Sequence, residues 1–175
     1  MLQRYAAWYL CGTMNRELDS AHEAALRSAR TMRARAITLT EYWMGRDVAY
    51  RHELTCGIER NAAITVARVN QLLAAMALHG LEVECRPDSG SPVASGWRPV
   101  AVNARIPTAV PDSPHISGCA CDLYDPANAL DDWCMAHTDV LVRLELWLEH
   151  PDYTDGWCHV QIVAPRCGNR VFRPW

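Results

Sequence analysis

The sequence predicts an α+β fold in which helices flank a small antiparallel sheet. Three observations carry that prediction. Helical patterns dominate the first 79 residues; Pro99, Pro107, Pro111 and Pro114 then cut the chain into short extended pieces; and a helical stretch separates these from two closing strand patterns. Prolines at that density exclude a long helix and favour loops between strands. Helices first, then strands with one intervening helix, is the order of an α+β domain.

Taken in order, residues 1–36 read as a helical extension, with Asp19 or Ser20 as N-cap and a helix rich in Ala, Arg and Glu from Ala21 to Ala36. Residues 37–175 form the main domain. Thr40 is positioned to cap a short helix over Glu41–Arg46. A longer helix is expected from about Asn61 to His79, with Ala62, Val66, Val69, Leu73 and Met76 on one apolar stripe and Gly80 at the left-handed C-cap position. Leu81–Cys85 alternates like a half-buried strand, and Pro87–Pro92 carries loop punctuation. Ala127–Glu149 returns to a helical pattern with a candidate break near His137. Trp157–Val163 and Asn169–Phe172 close the chain as strands.

Composition bounds the function classes. The chain has 175 residues, 50% of them hydrophobic and 21% charged, enough for a self-sufficient core. The net charge of −3 gives no global basic field for nucleic acid or anionic lipid. The basic run Arg27–Arg35 reads as a solvated helix face. No stretch approaches the roughly 20 apolar residues of a membrane span, and the N-terminus is too short and too aromatic for a signal peptide. Synthesis in a cytoplasm without classical export is the default expectation. The eight cysteines lack the regular spacing of a secreted disulfide scaffold. They are read as mostly buried thiols, while a local disulfide or a structural zinc site using Cys119, Cys121 and Cys158 stays open.

The chemistry concentrates in Ser113-Pro-His115-Ile-Ser-Gly118-Cys-Ala120-Cys-Asp122. Zinc takes imidazole and carboxylate ligands, and a catalytic site keeps three of them. A tight turn at Gly118 can bring His115 back against Asp122, and the small Ala120 shares the strand face of Asp122. Downstream, alternation in Trp157-Cys-His159-Val-Gln161 puts Trp157, His159 and Gln161 on one face. Isolated histidines are more often core or surface residues, and His22, His52, His79, His137 and His150 are assigned to that class.

The spacing Ser-x-His-x-x-Gly-x-Ala-x-Asp resembles, at all five fixed positions, the signature of the zinc D-alanyl-D-alanine carboxypeptidase and phage L-alanyl-D-glutamate endopeptidase family, whose fold is of the Hedgehog/DD-peptidase type. Ser95-Gly96-Trp97-Arg98-Pro99 is similar to the family's Ser-Gly-Tyr-Arg segment, Val102-Asn103-Ala104 leads into the histidine motif as in phage members, and Trp157-Cys-His159-Val is similar to the final ligand strand. Leu39–Arg46 and Arg170–Pro174 are weakly similar to flanking segments of phage-encoded members, so the resemblance covers about residues 37–174.

Carried over by position, the resemblance implies His115, Asp122 and His159 as zinc ligands. It implies Arg98 as the group binding the scissile carbonyl or a substrate carboxylate, with Ser113 a plausible holder of a ligand. The expected activity is hydrolysis of an amide bond in peptidoglycan stem peptides, at the cell wall or periplasm or as part of a phage virion. The alternative is a non-catalytic virion protein that keeps the fold and metal and docks on other virion proteins through its N-terminal helix. One position departs from the pattern. Many members carry Glu or Asp three residues before the last histidine, as general base, and here that residue is Gly156. Glu149 and Asp155 are the candidate replacements, Glu149 being favoured because Asp155 would lie about 13 Å from His159 along an extended strand.

Overall fold

Two units divide the chain, Met1–Arg33 and Ala34–Trp175. The computed structural model describes residues 35–107 and 109–174, all within the second unit. The expected N-terminal helix, its basic run and any docking role lie outside the described residues, apart from Arg35 and Ala36, which are not helical.

The first helices depend on caps. Helix α1 (Leu39–Trp43) is capped by Thr38, two residues before the expected Thr40. The Thr38 hydroxyl accepts from Glu41 N while the Glu41 carboxylate accepts from Thr38 N, a reciprocal capping box. Left-handed residues at Met44 and Gly45 end it, and Arg46 opens a separate turn, α2 (Arg46–Ala49). Helix α3 (Cys56–Leu78) starts five residues earlier than its apolar stripe suggests, because Thr55 supplies the cap. The stripe itself is as expected: Ala62, Val66, Val69, Leu73 and Met76 are buried. Gly80 takes the left-handed conformation after it.

The sheet has five strands in the order β1-β2-β4-β3-β5: β1 (Val93–Ser95), β2 (Ala120–Tyr124), β3 (Trp147–Glu149), β4 (Trp157–Gln161) and β5 (Val171–Phe172). All neighbours are antiparallel except β3 and β5, which run parallel. The remaining helices among the described residues are α4 (Val100–Asn103), α5 (Ala129–Ala136) and α6 (Thr138–Arg143), with a 3-10 turn at Pro151–Tyr153. The fold is α+β with a small sheet, as the order of patterns implied. Its core joins α3 to one face of the sheet through Val66, Val69, Met76, Cys121, Leu123, Leu148, Cys158 and Val160.

Two further elements differ from expectation. Leu81–Cys85 is irregular rather than a strand. Leu81 and Val83 pack against the core, so the alternation marks half-burial without a hydrogen-bonded partner. The stretch Ala127–Glu149 is not helical to its end. The break falls at His137 as expected, but Glu145 then adopts φ 49° and the chain leaves the helix to form β3. Leu146 and Leu148 are buried while Trp147 and Glu149 are half-buried, the period of a strand.

Candidate metal centre

The centre is built where β2 and β4 pair. Asp122 lies directly opposite His159 in the ladder, so their side chains share one face of the sheet. On the other face, Cys121 and Cys158 point into the hydrophobic core. His115 arrives from the turn before β2. That turn requires Gly118, which sits at φ 76° with its Cα packed so closely on helix α3 that an added Cβ would lie 2.8 Å from Ile58 O. Helix α3 holds the turn from below through Thr65 Oγ1 to Gly118 O at 2.9 Å and Asn61 Nδ2 to Ser117 O at 2.9 Å.

The Ser95–Arg98 segment clasps the same turn from the side. Gly96 O accepts from His115 Nδ1 at 2.7 Å, Trp97 Nε1 donates to Ile116 O at 2.9 Å, and Arg98 N donates to His115 O at 3.1 Å. Gly96 has no alternative here: a Cβ would lie 1.9 Å from Tyr42 O. Asn103 Nδ2 ties the following loop through Val110 O. Ser113 contributes through its backbone carbonyl, which accepts from Ile116 N. Its hydroxyl makes no bond to His115 or Asp122 among the described residues, so the ligand-holding role expected for it falls to Gly96 instead.

The result is a buried trio. His115 Nε2 lies 3.1 Å from Asp122 Oδ1 and 3.3 Å from His159 Nδ1, and His159 Nδ1 lies 2.7 Å from the same carboxylate oxygen. One ligand atom from each residue falls within 4.8 Å of the others. Tetrahedral zinc with metal–ligand bonds of about 2.0–2.2 Å spaces its ligands about 3.3–3.6 Å apart, so the two His115 separations are within about 0.5 Å of that spacing and the His159–Asp122 pair must open by about 0.6–0.9 Å to hold such an ion. His115 presents Nε2 because a carbonyl, which can only accept, fixes its Nδ1 as the donor. The residues fit a divalent cation.

The charges are arranged for one. Burial alone would raise the Asp122 pKa, but the adjacent His115 and His159 bring it well below the usual carboxylate range. Burial lowers His115. Burial also acts to lower His159, yet the bond to Asp122 outweighs it and its pKa is raised. Arg98 donates from Nη2 to Asp122 Oδ2 at 2.6 Å and from Nε to Ser95 Oγ at 2.9 Å. The arginine thereby anchors the outer oxygen of the carboxylate and leaves Oδ1 for the histidines.

Glu149 joins the group from β3. Trp147 pairs with Gln161, so two residues on Glu149 draws level with His159, and its Oε2 lies 4.0 Å from His159 Nδ1. Burial raises its pKa. Asp155 is exposed, even though the chain does turn at Gly156. Gly156 itself stands at φ 87°, a conformation that L side chains rarely adopt. The sequence motifs thus locate His115, Asp122, His159 and Arg98 together. They do not reveal Glu149's register, which depends on β3, nor Ser95 as the partner that aims Arg98.

The described cysteines play no part in this centre. All seven described cysteines are free; Cys119, Cys121, Cys134 and Cys158 are buried, and Cys56, Cys85 and Cys167 are exposed. Burial pushes the Cys121 thiol up, and hydrogen bonding to Cys134 together with burial does so for Cys158, so both disfavour the thiolate that zinc needs. Neither the local disulfide nor the Cys-ligated zinc site is present among the described residues. Nor is any of His52, His79, His137 or His150 part of the one metal-capable group found there.

No protein-family model matches the chain, and comparison with curated proteins and with solved structures likewise finds no match. No helix among the described residues is long and apolar enough to cross a membrane.

Proposed function

We propose that this protein is a zinc-dependent peptidase that cleaves an amide bond in peptidoglycan stem peptides, of the phage-encoded type. The observation that carries the reading is the convergence of His115, Asp122 and His159 at metal-ligand spacing in a buried site that also receives Arg98 and Glu149. Two imidazoles and a carboxylate suit zinc better than calcium or magnesium, which prefer all-oxygen sites.

Zinc bound there would supply Lewis acidity toward a carbonyl oxygen and a water acidified toward pH 7. The protein supplies the rest. Asp122 and the two histidines hold the cation while Arg98 keeps Asp122 Oδ2 engaged. The Arg98 guanidinium retains Nη1 for a substrate carbonyl or carboxylate, a fixed fork of donors suited to an oxyanion. Glu149 Oε2 accepts the proton of the attacking water and returns it to the leaving amine. A carboxylate whose pKa is raised by burial suits this two-way transfer better than an exposed one. Glu149 therefore takes the role that the resemblance would place at residue 156.

The second reading is a virion protein that keeps the fold and the metal without turnover, and Gly156 in place of the usual acid is what favours it. Mass spectrometry of purified peptidoglycan after incubation, with zinc content measured in parallel, separates the two. The peptidase reading expects new amino termini at one stem-peptide bond, abolished in His115→Ala along with most of the bound zinc. Stoichiometric zinc with no cleavage in any wall type tested would establish the second reading.

A further inference from the structure

A buried amide next to the trio has no role in the scheme above. Gln161 ends β4, two residues beyond His159 on the same face, and is only 4% exposed. It sits between two ladders, opposite Ala120 on β2 and Trp147 on β3, so its backbone has little freedom. The small Ala120 across from it leaves the longer side chain room to lie along the sheet toward His159. Gln161 Nε2 donates to Val163 O at 2.6 Å, and Gln161 Oε1 lies 3.2 Å from His159 Nε2.

These two bonds settle each other. A backbone carbonyl can only accept, so the amide nitrogen must be the end that faces Val163. The amide oxygen then faces His159 and can only accept as well. His159 Nε2 must therefore carry a proton, and Nδ1 is left as the atom turned to Asp122 and His115. We infer that Gln161 is a positioning residue that fixes His159 in the Nε2–H form, so that Nδ1 serves as the metal ligand, with the Val163 carbonyl locking the amide's orientation. The inference rests on reading the trio as a metal site. It assigns the two histidines opposite ligand atoms, Nε2 for His115 and Nδ1 for His159, each set by an acceptor on the ring's far side. Outer partners of this kind raise ligand basicity and fix the tautomer and orientation of the ring.

Gln161→Met keeps length and volume but removes both bonds. The expected result is a zinc affinity about 10–100-fold weaker than wild type by chelator competition, a shifted visible spectrum of the cobalt-substituted protein, and an unfolding temperature close to that of wild type. A folded Met variant with wild-type zinc affinity and cobalt spectrum would overturn the inference. Should the variant not fold, nitrogen-15 NMR of the wild-type imidazoles decides, with the His159 signals assigned by their loss in His159→Gln. A directly bonded proton at His159 Nε2, in both zinc-loaded and metal-free protein, is the expected result; a bare Nε2 in either refutes the role of Gln161. Wild-type protein that binds no divalent cation would instead sink the metal reading, and the metal-free spectrum would still judge Gln161.

Discussion

Replacing Glu149 by Gln removes one proton acceptor and keeps the shape of the side chain. The carboxylate lies 4.0 Å from His159 Nδ1 and is half-buried, with a pKa raised by that burial. A positioned general base contributes about 10²–10⁴ in rate, or about 3–5 kcal/mol of barrier. If the protein is the peptidase proposed above, Glu149→Gln is therefore expected to lower turnover of peptidoglycan by at least 100-fold. Removing a negative charge beside the donors also weakens cation binding, since unit charges this close interact by several kcal/mol at an effective dielectric near 20. The rates must accordingly be compared at saturating zinc, by following release of amino groups. Asp155→Asn, altering an exposed carboxylate, is the internal control and should stay within about two-fold of wild type. The reasoning fails if Glu149→Gln keeps more than a tenth of the wild-type rate under saturation, or if Asp155→Asn shows the loss instead.

Two further predictions concern stability. Gly96→Ala would place a methyl group 1.9 Å from Tyr42 O, a backbone atom that a rotamer change cannot move. The expected cost is at least about 3 kcal/mol, the upper end for overpacked sites, with zinc retention falling because Gly96 O is pulled from His115; an unfolding temperature within 2 °C of wild type would refute this. Asp131 is buried, with Oδ2 accepting from Thr154 and Oδ1 without a partner among the described residues, and burial raises its pKa to about 6. Between its unfolded pKa near 4 and that value the folded state binds the extra proton, so this group lowers stability as pH rises through the window. Asp131→Asn should thus gain stability relative to wild type from pH 4.5 to 7, as read from urea midpoints. A difference that does not change with pH would exclude the effect.

Local chemistry made part of this protein legible before any fold was known. The buried stripe of α3 follows from its 3.6-residue period, and the break at His137 and the left-handed Gly80 follow from local preference. The trio was legible through the resemblance of its spacing to a zinc-peptidase signature, and local chain geometry made that reading physically reasonable. His115, Gly118 and Asp122 fall within eight residues, so one turn and one strand suffice to bring two donors together. His159 could be placed on the correct face by alternation alone.

Long-range pairing decided the remainder. Leu81–Cys85 alternates in sequence and Trp147–Glu149 does not, yet only the second found strands beside it, because pairing depends on which edges the fold leaves open rather than on the segment itself. That pairing carries Glu149 to His159 from a stretch that looks helical in isolation. The hydrogen-bond directions that set the histidine ring atoms also arise only in three dimensions, since Gly96 O and Gln161 Oε1 act across a turn and along a strand. Sequence thus determined which side chains could bind a metal. The tertiary structure determined which atoms of them face it and which carboxylate stands beside them, because the strand register and acceptor positions that decide these are properties of chain segments brought together by folding.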